Sequence, residues 1–568
     1  MKRNLKLFLT LLFCCAVSLC AVFLVTTEAV AADVSTVKLS TVFDDGMVLQ
    51  RNMPINVFGE CDKVGAEVKV TLGETSVTAT VSADKKFKAT LPAMEAATGL
   101  TLTVEQLSVA TPVVHTFKEV SVGEVIVVSG QSNAAYQLYM MEDAEEYIAN
   151  ADNFSNIHLY CTPRTYDFFE AKGGVGKWYK VNSSLLKKNS EVQGDVSAIG
   201  YVLATRIANE LGDSMPIGLI DAAYAGSGIF PFLEFNNFKT KFSSGNEAHI
   251  KRYEDYVNFY NANGRYPTST SEVSGYQEKP YGTTPGICYN TLIAPIFGYT
   301  AKFALWYQGE ANIENLKTNY DTYFNELKAQ YKSAFSNPNL KFFAVQLAPY
   351  QYNAGPFRSL QYKMSEADDT YLISAAREGS GMTGYDLSQG YVHSSRKSPI
   401  GHRVADSVLK NIYEKDTERV VEAPKVKKIE RNGSKVIITF DTDVSYAYGN
   451  SALGFELAST NLSYKSATGT IVGNKVTLTA SGVTTPAYVR YAFGRMDFVL
   501  NDGSVVTYIN DAKDTIDKDQ ATVHDASGKT YTFTKNCGLV IETRFPGNIT
   551  NISGHPMPTF DLPVGYTK

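Results

Sequence analysis

Ser132 stands in Gly130-Gln131-Ser132-Asn133, directly after the apolar, mostly β-branched run Val125-Ile126-Val127-Val128. A buried parallel strand that ends in a small-residue turn carries a hydroxyl to the carboxyl edge of an α/β sheet, where such folds place their ligands. Ser132 is therefore the candidate nucleophile. A serine after a strand is also a common helix N-cap, so the position needs partners to mean chemistry. The turn is not the Gly-x-Ser-x-Gly elbow of α/β-hydrolases, because Ala134 replaces the second glycine.

A serine hydroxyl is a weak nucleophile near neutral pH and needs a base. Among the 7 histidines, His393 lies in Asp386-Leu387-Ser388-Gln389-Gly390-Tyr391-Val392-His393-Ser394, just ahead of an apparent helix from Gly401 to Leu409. Asp386, seven residues upstream, could hold the imidazole tautomer. A Ser–His dyad oriented by a backbone carbonyl is the alternative. His402 competes for the role of base but falls inside the helical run, which suits a structural side chain.

An acyl-transfer site also needs donors for an oxyanion. The stretch Ala222-Ala223-Tyr224-Ala225-Gly226-Ser227-Gly228 follows the apolar run 217–220, and its small residues let a backbone N–H come close to a substrate. Gly226 is the candidate donor. A second stretch, Trp306-Tyr307-Gln308-Gly309-Glu310-Ala311-Asn312, follows another apolar run. Buried unpaired, an amide and a carboxylate there would be costly, so they are expected to face a cleft. Gln308 could donate its amide to an oxyanion, and Glu310 either touches substrate or anchors loops. Gln131 and Asn133, beside the nucleophile, join the set of candidate oxyanion or substrate contacts.

No His/Cys cluster has metal-ligand spacing, and His524-Asp525-Ala526-Ser527-Gly528-Lys529 lacks the glycines of a phosphate loop. Neither a metal nor an organic cofactor is expected.

The elements that must position these residues change in texture along the chain. Residues 33–120 carry short alternating runs such as Glu67-Val68-Lys69-Val70-Thr71-Leu72, the pattern of an all-β domain. From about 121 to 418, strands alternate with helical periodicity. Val196, Ile199, Leu203, Ile207 and Leu211 share one helix face, and Leu316, Tyr320, Tyr323, Phe324, Leu327 and Tyr331 share another. Strands are expected at 217–220, 301–306 and 342–345. Strands alternating with helices mean a parallel sheet. Residues 232–285, polar and rich in Tyr and Gly, break the rhythm and suggest an insertion or long loop near the site. A second β domain is expected over 419–568, with an irregular Pro-containing tail (Pro546, Pro556, Pro558, Pro563).

Lys2, Arg3 and Lys6, an apolar run over 7–25, and Ala29-Val30-Ala31 have the form of a signal peptide over 1–32. Its removal predicts a secreted or extracytoplasmic protein with no stable membrane insertion. The net charge is −5, and loss of Lys2, Arg3, Lys6 and Glu28 makes it −7, which disfavours nucleic acid as a partner. Three of the 7 cysteines lie in that segment. The rest (Cys61, Cys161, Cys288, Cys537) are too scattered for a disulfide framework and suit buried thiols.

Taken in order, several stretches resemble the sialate O-acetylesterase family of SGNH-type hydrolases. They are Phe43-Asp44-Asp45-Gly46-Met47-Val48-Leu49-Gln50-Arg51, Ser129-Gly130-Gln131-Ser132-Asn133, Tyr289-Asn290-Thr291-Leu292-Ile293-Ala294-Pro295 and Leu305-Trp306-Tyr307-Gln308-Gly309-Glu310-Ala311-Asn312, followed by Val345-Gln346-Leu347-Ala348, Arg358-Ser359-Leu360-Gln361 and Gly454-Phe455-Glu456-Leu457-Ala458. The resemblance implies an SGNH-type, flavodoxin-like parallel α/β three-layer sandwich flanked by N- and C-terminal all-β domains. It implies a serine esterase acting on O-acetylated sugars, sialic acid first among them, with acetyl xylan or another plant polysaccharide as an alternative. Three departures stand out. Tyr224-Ala225-Gly226-Ser227 replaces the family's Trp-Gly-Gly-Thr, Gly390 replaces the Asp three residues before the histidine, and Ser394 replaces the proline after it. A glycan-binding protein on an esterase scaffold is the reading those departures would suit.

Overall fold

The computed structural model describes residues 34–568 apart from 111, 163, 172–175, 193–194, 349–353, 377, 379–391, 416, 448, 494–496, 500–504, 508–514, 517–519, 525–526 and 535–546. The expected signal segment, Asp386 and Cys537 therefore lie outside the described residues.

The central sheet is built on β1 (Val114–Gly130), followed by β2 (Ile157–Cys161), β3 (Lys177–Lys180), β4 (Ile217–Ala223), β5 (Phe303–Tyr307), β6 (Lys341–Gln346) and β7 (Thr370–Ser374). Their spatial order is β3-β2-β4-β1-β5-β6-β7. All neighbours run parallel except β3, an antiparallel edge. The strands expected at 217–220, 301–306 and 342–345 are β4, β5 and β6.

The helices are α1 (Ala144–Ala149), α2 (Ala198–Leu211), α3 (Phe235–Phe242), α4 (Glu247–Asn263), α5 (Tyr320–Ala334), α6 (Gly355–Met364) and α7 (Ser398–Tyr413). Ser197 caps α2 by accepting the Gly200 N–H at 3.1 Å, and α2 ends at Gly212. Successive residues of a strand point to opposite faces. Val128 packs against Gly200 of α2, whereas the Ser129 hydroxyl lies 2.9 Å from that of Tyr331 on α5. Helices therefore cover both faces of the sheet.

β1 crosses position 120/121, where the sequence texture changes, without a break. Its first part pairs antiparallel with Ala97–Gln106, and Glu124–Gly130 pairs parallel with β4 while Ile126–Gly130 pairs parallel with β5. The burial follows the pairing. Residues 114–119 alternate or lie exposed, and 120–130 are all buried. One face of an antiparallel sheet can stay wet, whereas a parallel sheet under helices cannot. The N-terminal β region thus shares a sheet with the central one, and a second, three-stranded sheet (Lys38–Leu39, Ile55–Glu60, Lys86–Leu91) lies beside it.

One expectation is refined and another corrected. Part of the 232–285 insertion is helical, forming α3 and α4. Tyr253, Tyr256 and Tyr260 recur every three or four residues along α4, and the first two stack on Phe235 and Phe168. Ring packing supplies the apolar face that a polar composition hid. The tail is not irregular throughout either. Phe560–Pro563 is the edge strand of an antiparallel seven-stranded sheet that begins at Val426–Asn432, and Ile549–Asn551 pairs with Val444–Tyr446. Pro563 ends that edge strand, a place where its missing N–H costs no ladder bond. The buried Gln346 side chain, at the end of β6, holds both backbone groups of Thr559 at 3.0 and 2.9 Å.

Candidate active site

The three blocks singled out in the sequence follow β1, β4 and β5, three adjacent strands of one sheet, all at their carboxyl ends. Gly130 ends β1 at φ +134°, and a Cβ there would sit 2.1 Å from the Tyr307 carbonyl oxygen. Only glycine lets β1 and β5 stay this close through the turn. The turn is closed by Gln131 N–H on Tyr307 O at 3.0 Å, with Ala134 and Ala135 N–H both on Gln131 O at 2.9 Å. Arg164 braces it from the side by donating to Ala135 O and to Asp221.

Ser132 is half-buried at the tip of this turn. Its Oγ lies 2.7 Å from His393 Nε2, within hydrogen-bond reach. The two residues are 261 positions apart in sequence. His402 is elsewhere, on α7, with its Nε2 3.0 Å from the Tyr147 hydroxyl. Among the described residues, the Ser132 and Gly226 N–H groups donate to no protein acceptor. The Gly226 turn is tied to the Ser132 turn by Tyr224 N–H on Gly130 O at 2.9 Å. Gly226 has φ +76°, and a Cβ on it would fall 2.8 Å from the Tyr281 ring. Tyr281 belongs to the insertion and meets Tyr224 and Tyr166 with ring centroids 5.2 and 5.4 Å apart. An aromatic wall thus lines the Gly226 side of the site.

Gln308 departs from expectation. It is fully buried, and its Nε2 donates to Gln131 Oε1 at 3.0 Å, Asn312 Oδ1 at 2.8 Å and Ser227 O at 3.2 Å. The amide orientation is fixed from both ends. Trp306 Nε1 donates to the Tyr320 hydroxyl at 2.9 Å, which obliges that hydroxyl to donate to Gln308 Oε1 at 2.6 Å. Gln131 Oε1 also accepts the Gly309 and Ala311 N–H groups. The Gln308 amide is thus occupied inside the protein and holds no proton for an oxyanion. Gln131 is likewise a buried clasp on the third block through its side-chain oxygen.

Asn133 and Glu310 form a different network. Asn133 is buried, and its Nδ2 donates to Glu310 Oε1 and, at 2.9 Å, to Val392 O. Its Oδ1 accepts from Lys397 Nζ at 2.9 Å. Both amide protons and the oxygen are therefore held by protein groups, which removes Asn133 from the substrate contacts. Glu310 is half-buried, but its Oε2 is out of solvent and has no hydrogen-bond partner among the described residues. Burial pushes its carboxyl up to about 7, against the opposing pull of Asn133 and Lys397. Burial pushes the Lys397 ammonium down to about 7, against Glu310 and Glu378.

Lys397, Arg164 and Tyr281 escaped the sequence reading. A lysine beside a helical run reads as a solvated charge, and nothing local marks it as buried. The thiols of Cys61, Cys161 and Cys288 are free and buried, and burial pushes those of Cys161 and Cys288 up, away from reactivity. Among the described residues no group of three or more His, Cys, Asp or Glu could hold a metal ion, and no helix is long and apolar enough to cross a membrane.

The chain is an α/β protein with β-rich regions, and that architecture has a counterpart among solved structures. A carbohydrate acetylesterase from Xanthomonas citri superposes with a TM-score of 0.68 at 20% identity, covering 93% of this chain and 99% of that one. At that identity the likeness is one of fold. A protein from Arabidopsis thaliana matches with a TM-score of 0.30 at 15% identity over 51% of this chain and 98% of its own, too loosely to carry an argument. No family model matches the sequence. No curated protein matches it either.

Proposed function

We propose that this chain is a serine esterase that removes O-acetyl groups from sugars. The observation that carries the reading is the 2.7 Å contact between Ser132 Oγ and His393 Nε2 at the carboxyl edge of a parallel sheet. Ser132 Oγ bonds to the acetyl carbonyl carbon while its proton passes to His393 Nε2. The tetrahedral intermediate breaks its bond to the sugar oxygen, which takes the proton from His393. Water then attacks the acetyl-Ser132 ester, gives a proton to His393 and releases acetate as Ser132 recovers its hydrogen. The N–H groups of Ser132 and Gly226, which meet no acceptor among the described residues, are the oxyanion donors. With Gln308 engaged elsewhere, the hole rests on backbone.

The finer assignment is to an SGNH-type hydrolase of the sialate O-acetylesterase family. It is supported by the sequence blocks and by the strand order. Strands β4, β1, β5, β6 and β7 follow the flavodoxin-like order 2-1-3-4-5, with β2 and β3 added outside β4. The fold shared with a carbohydrate acetylesterase agrees with sugar acetates as substrates. Export across a membrane, with loss of residues 1–32, is part of the same proposal.

The test is acetate release from O-acetylated sialic acid, acetylated xylan and an aryl acetate, by the wild type and by Ser132→Ala. Loss of roughly 10⁴-fold or more in the variant is expected. Full acetate release by Ser132→Ala sinks the mechanism. Preference between the first two substrates decides the sugar.

A further inference from the structure

Lys397 is fully buried, immediately ahead of α7. That is an expensive place for a lysine. Removing an ammonium from water is costly before partners are counted. The N-terminus of a helix, with its positive end of the backbone dipole, is the wrong end for a cation. An apolar side chain of similar length would fill the volume without either cost. What the lysine has instead is a set of directed contacts. Its Nζ donates to Asn133 Oδ1 at 2.9 Å and to the carbonyl of Ser394, and sits 4.5 Å from the centre of the Tyr136 ring.

These contacts converge on one residue. Asn133 Nδ2 holds the carbonyl of Val392 at 2.9 Å, and Lys397 Nζ holds that of Ser394. The residue between them is His393. Asn133 is itself the chain neighbour of Ser132, so the imidazole is fastened from both sides to the turn that carries the nucleophile. Glu310, coming from the third block, fixes the Asn133 amide through its second proton. An uncharged amine has two protons, enough for both acceptors, so the arrangement holds in either protonation state of Lys397.

We propose that Lys397 and Asn133 are positioning residues that clamp the two carbonyls flanking His393 and thereby set its Nε2 against Ser132. The proposal rests on the esterase reading of those two residues. Its expected signature is kinetic. Misplacing a reacting group by about 1 Å costs on the order of 10²-fold in rate without weakening substrate binding.

The experiment compares wild type with Lys397→Met, which keeps length and apolar bulk. The readouts are kcat and KM on an aryl acetate, the rate of Ser132 labelling by a fluorophosphonate, and Tm. Expected is a fall of about 10²-fold in kcat and in labelling rate, with KM within about two-fold and a lower Tm, because Asn133 Oδ1 and the Ser394 carbonyl lose their donor. A Lys397→Met enzyme with wild-type kcat and labelling overturns the clamp while leaving the esterase reading intact. So does a loss carried in KM alone. If Lys397→Met does not fold, Asn133→Ala decides by the same readouts, since it cuts Lys397 and Val392 from each other while Lys397 keeps the Ser394 carbonyl. A wild-type protein that neither releases acetate nor reacts at Ser132 overturns the esterase reading and the clamp with it.

Discussion

Two polar networks flank Ser132, and they are built on opposite chemical principles. On the Gln131 side, Trp306, Tyr320, Gln308, Gln131, Asn312 and Ser227 form a neutral network in which each link has a defined donor and acceptor. On the Asn133 side, Glu310, Asn133 and Lys397 form an ionisable one, with a buried carboxyl oxygen left over. The first holds the β5 turn against the β1 turn. The second holds the histidine loop against the same turn. Neutral groups can be locked once and stay locked at any pH. Ionisable groups pay desolvation in whichever state is charged, so their contribution to stability changes with pH even though the contacts to the loop persist.

The sharpest way to break the comparison is to remove the centre of the neutral network. Gln308→Leu leaves the buried Tyr320 hydroxyl without its acceptor and takes the shared donor from Gln131, Asn312 and Ser227. An orphaned buried polar group costs roughly 1–3 kcal/mol, so a loss of about 3 kcal/mol is expected. Thermal unfolding at pH 5, 7 and 9 checks it. The loss should be the same at all three, because nothing in this network titrates there. A loss confined to one pH would mean that the two networks are coupled.

The two networks were also unequally legible in the sequence. Gln308 and Glu310, one from each network, were announced as polar residues after an apolar strand and expected to face a cleft, whereas Lys397 was not marked at all. The inference from burial cost was sound but incomplete. An amide is costly if buried unpaired, yet Gln308 is buried and paired with residues from three different blocks. Pairings of high sequence separation, such as Asn133 with Lys397 across 264 positions, leave no periodic trace. Strand ends, the Ser132 turn and His393 were legible because each rests on local pattern: an apolar run, a small-residue turn, a loop before a helical face. The boundary near 120 was legible only as a change of texture, and it is one strand whose neighbours change. The helical part of the insertion was hidden because aromatic rings, counted as polar tyrosines, supply its apolar face.

A smaller effect separates the networks by pH. Glu310 is raised from its usual 4.5 to about 7, so between those values the folded state binds more protons than the unfolded state, and stability falls as pH rises. Lys397 is lowered from its usual 10.5 to about 7, so between about 7 and 10.5 the unfolded state binds more protons, and stability rises with pH. The pair therefore contributes a trough centred near pH 7. The double variant Glu310→Gln/Lys397→Met removes both groups, and Asn133 keeps an acceptor in the new amide. Its Tm relative to wild type should be most favourable near pH 7 and less so toward pH 5 and pH 9. A difference curve that is flat across that range would show that neither group is shifted as burial requires.

The smallest expected effect tests whether the neutral network is as fully satisfied as its geometry suggests. Tyr320→Phe deletes a single hydroxyl, which accepts from Trp306 Nε1 and donates to Gln308 Oε1. Both partners are buried, so neither recovers the bond from bulk water. The ring itself, packed 4.7 Å from Phe357, stays in place. The cost is therefore two buried groups left without a partner, at the low end of about 1–3 kcal/mol each because no cavity of consequence forms, roughly 2 kcal/mol in all. Because Gln308 keeps its three acceptors, the β5 turn should remain where it is, and kcat on an aryl acetate should stay within about two-fold of wild type. A loss of activity much larger than the loss of stability would mean that the neutral network also steers Ser132, and the division between the two sides of the site would fall.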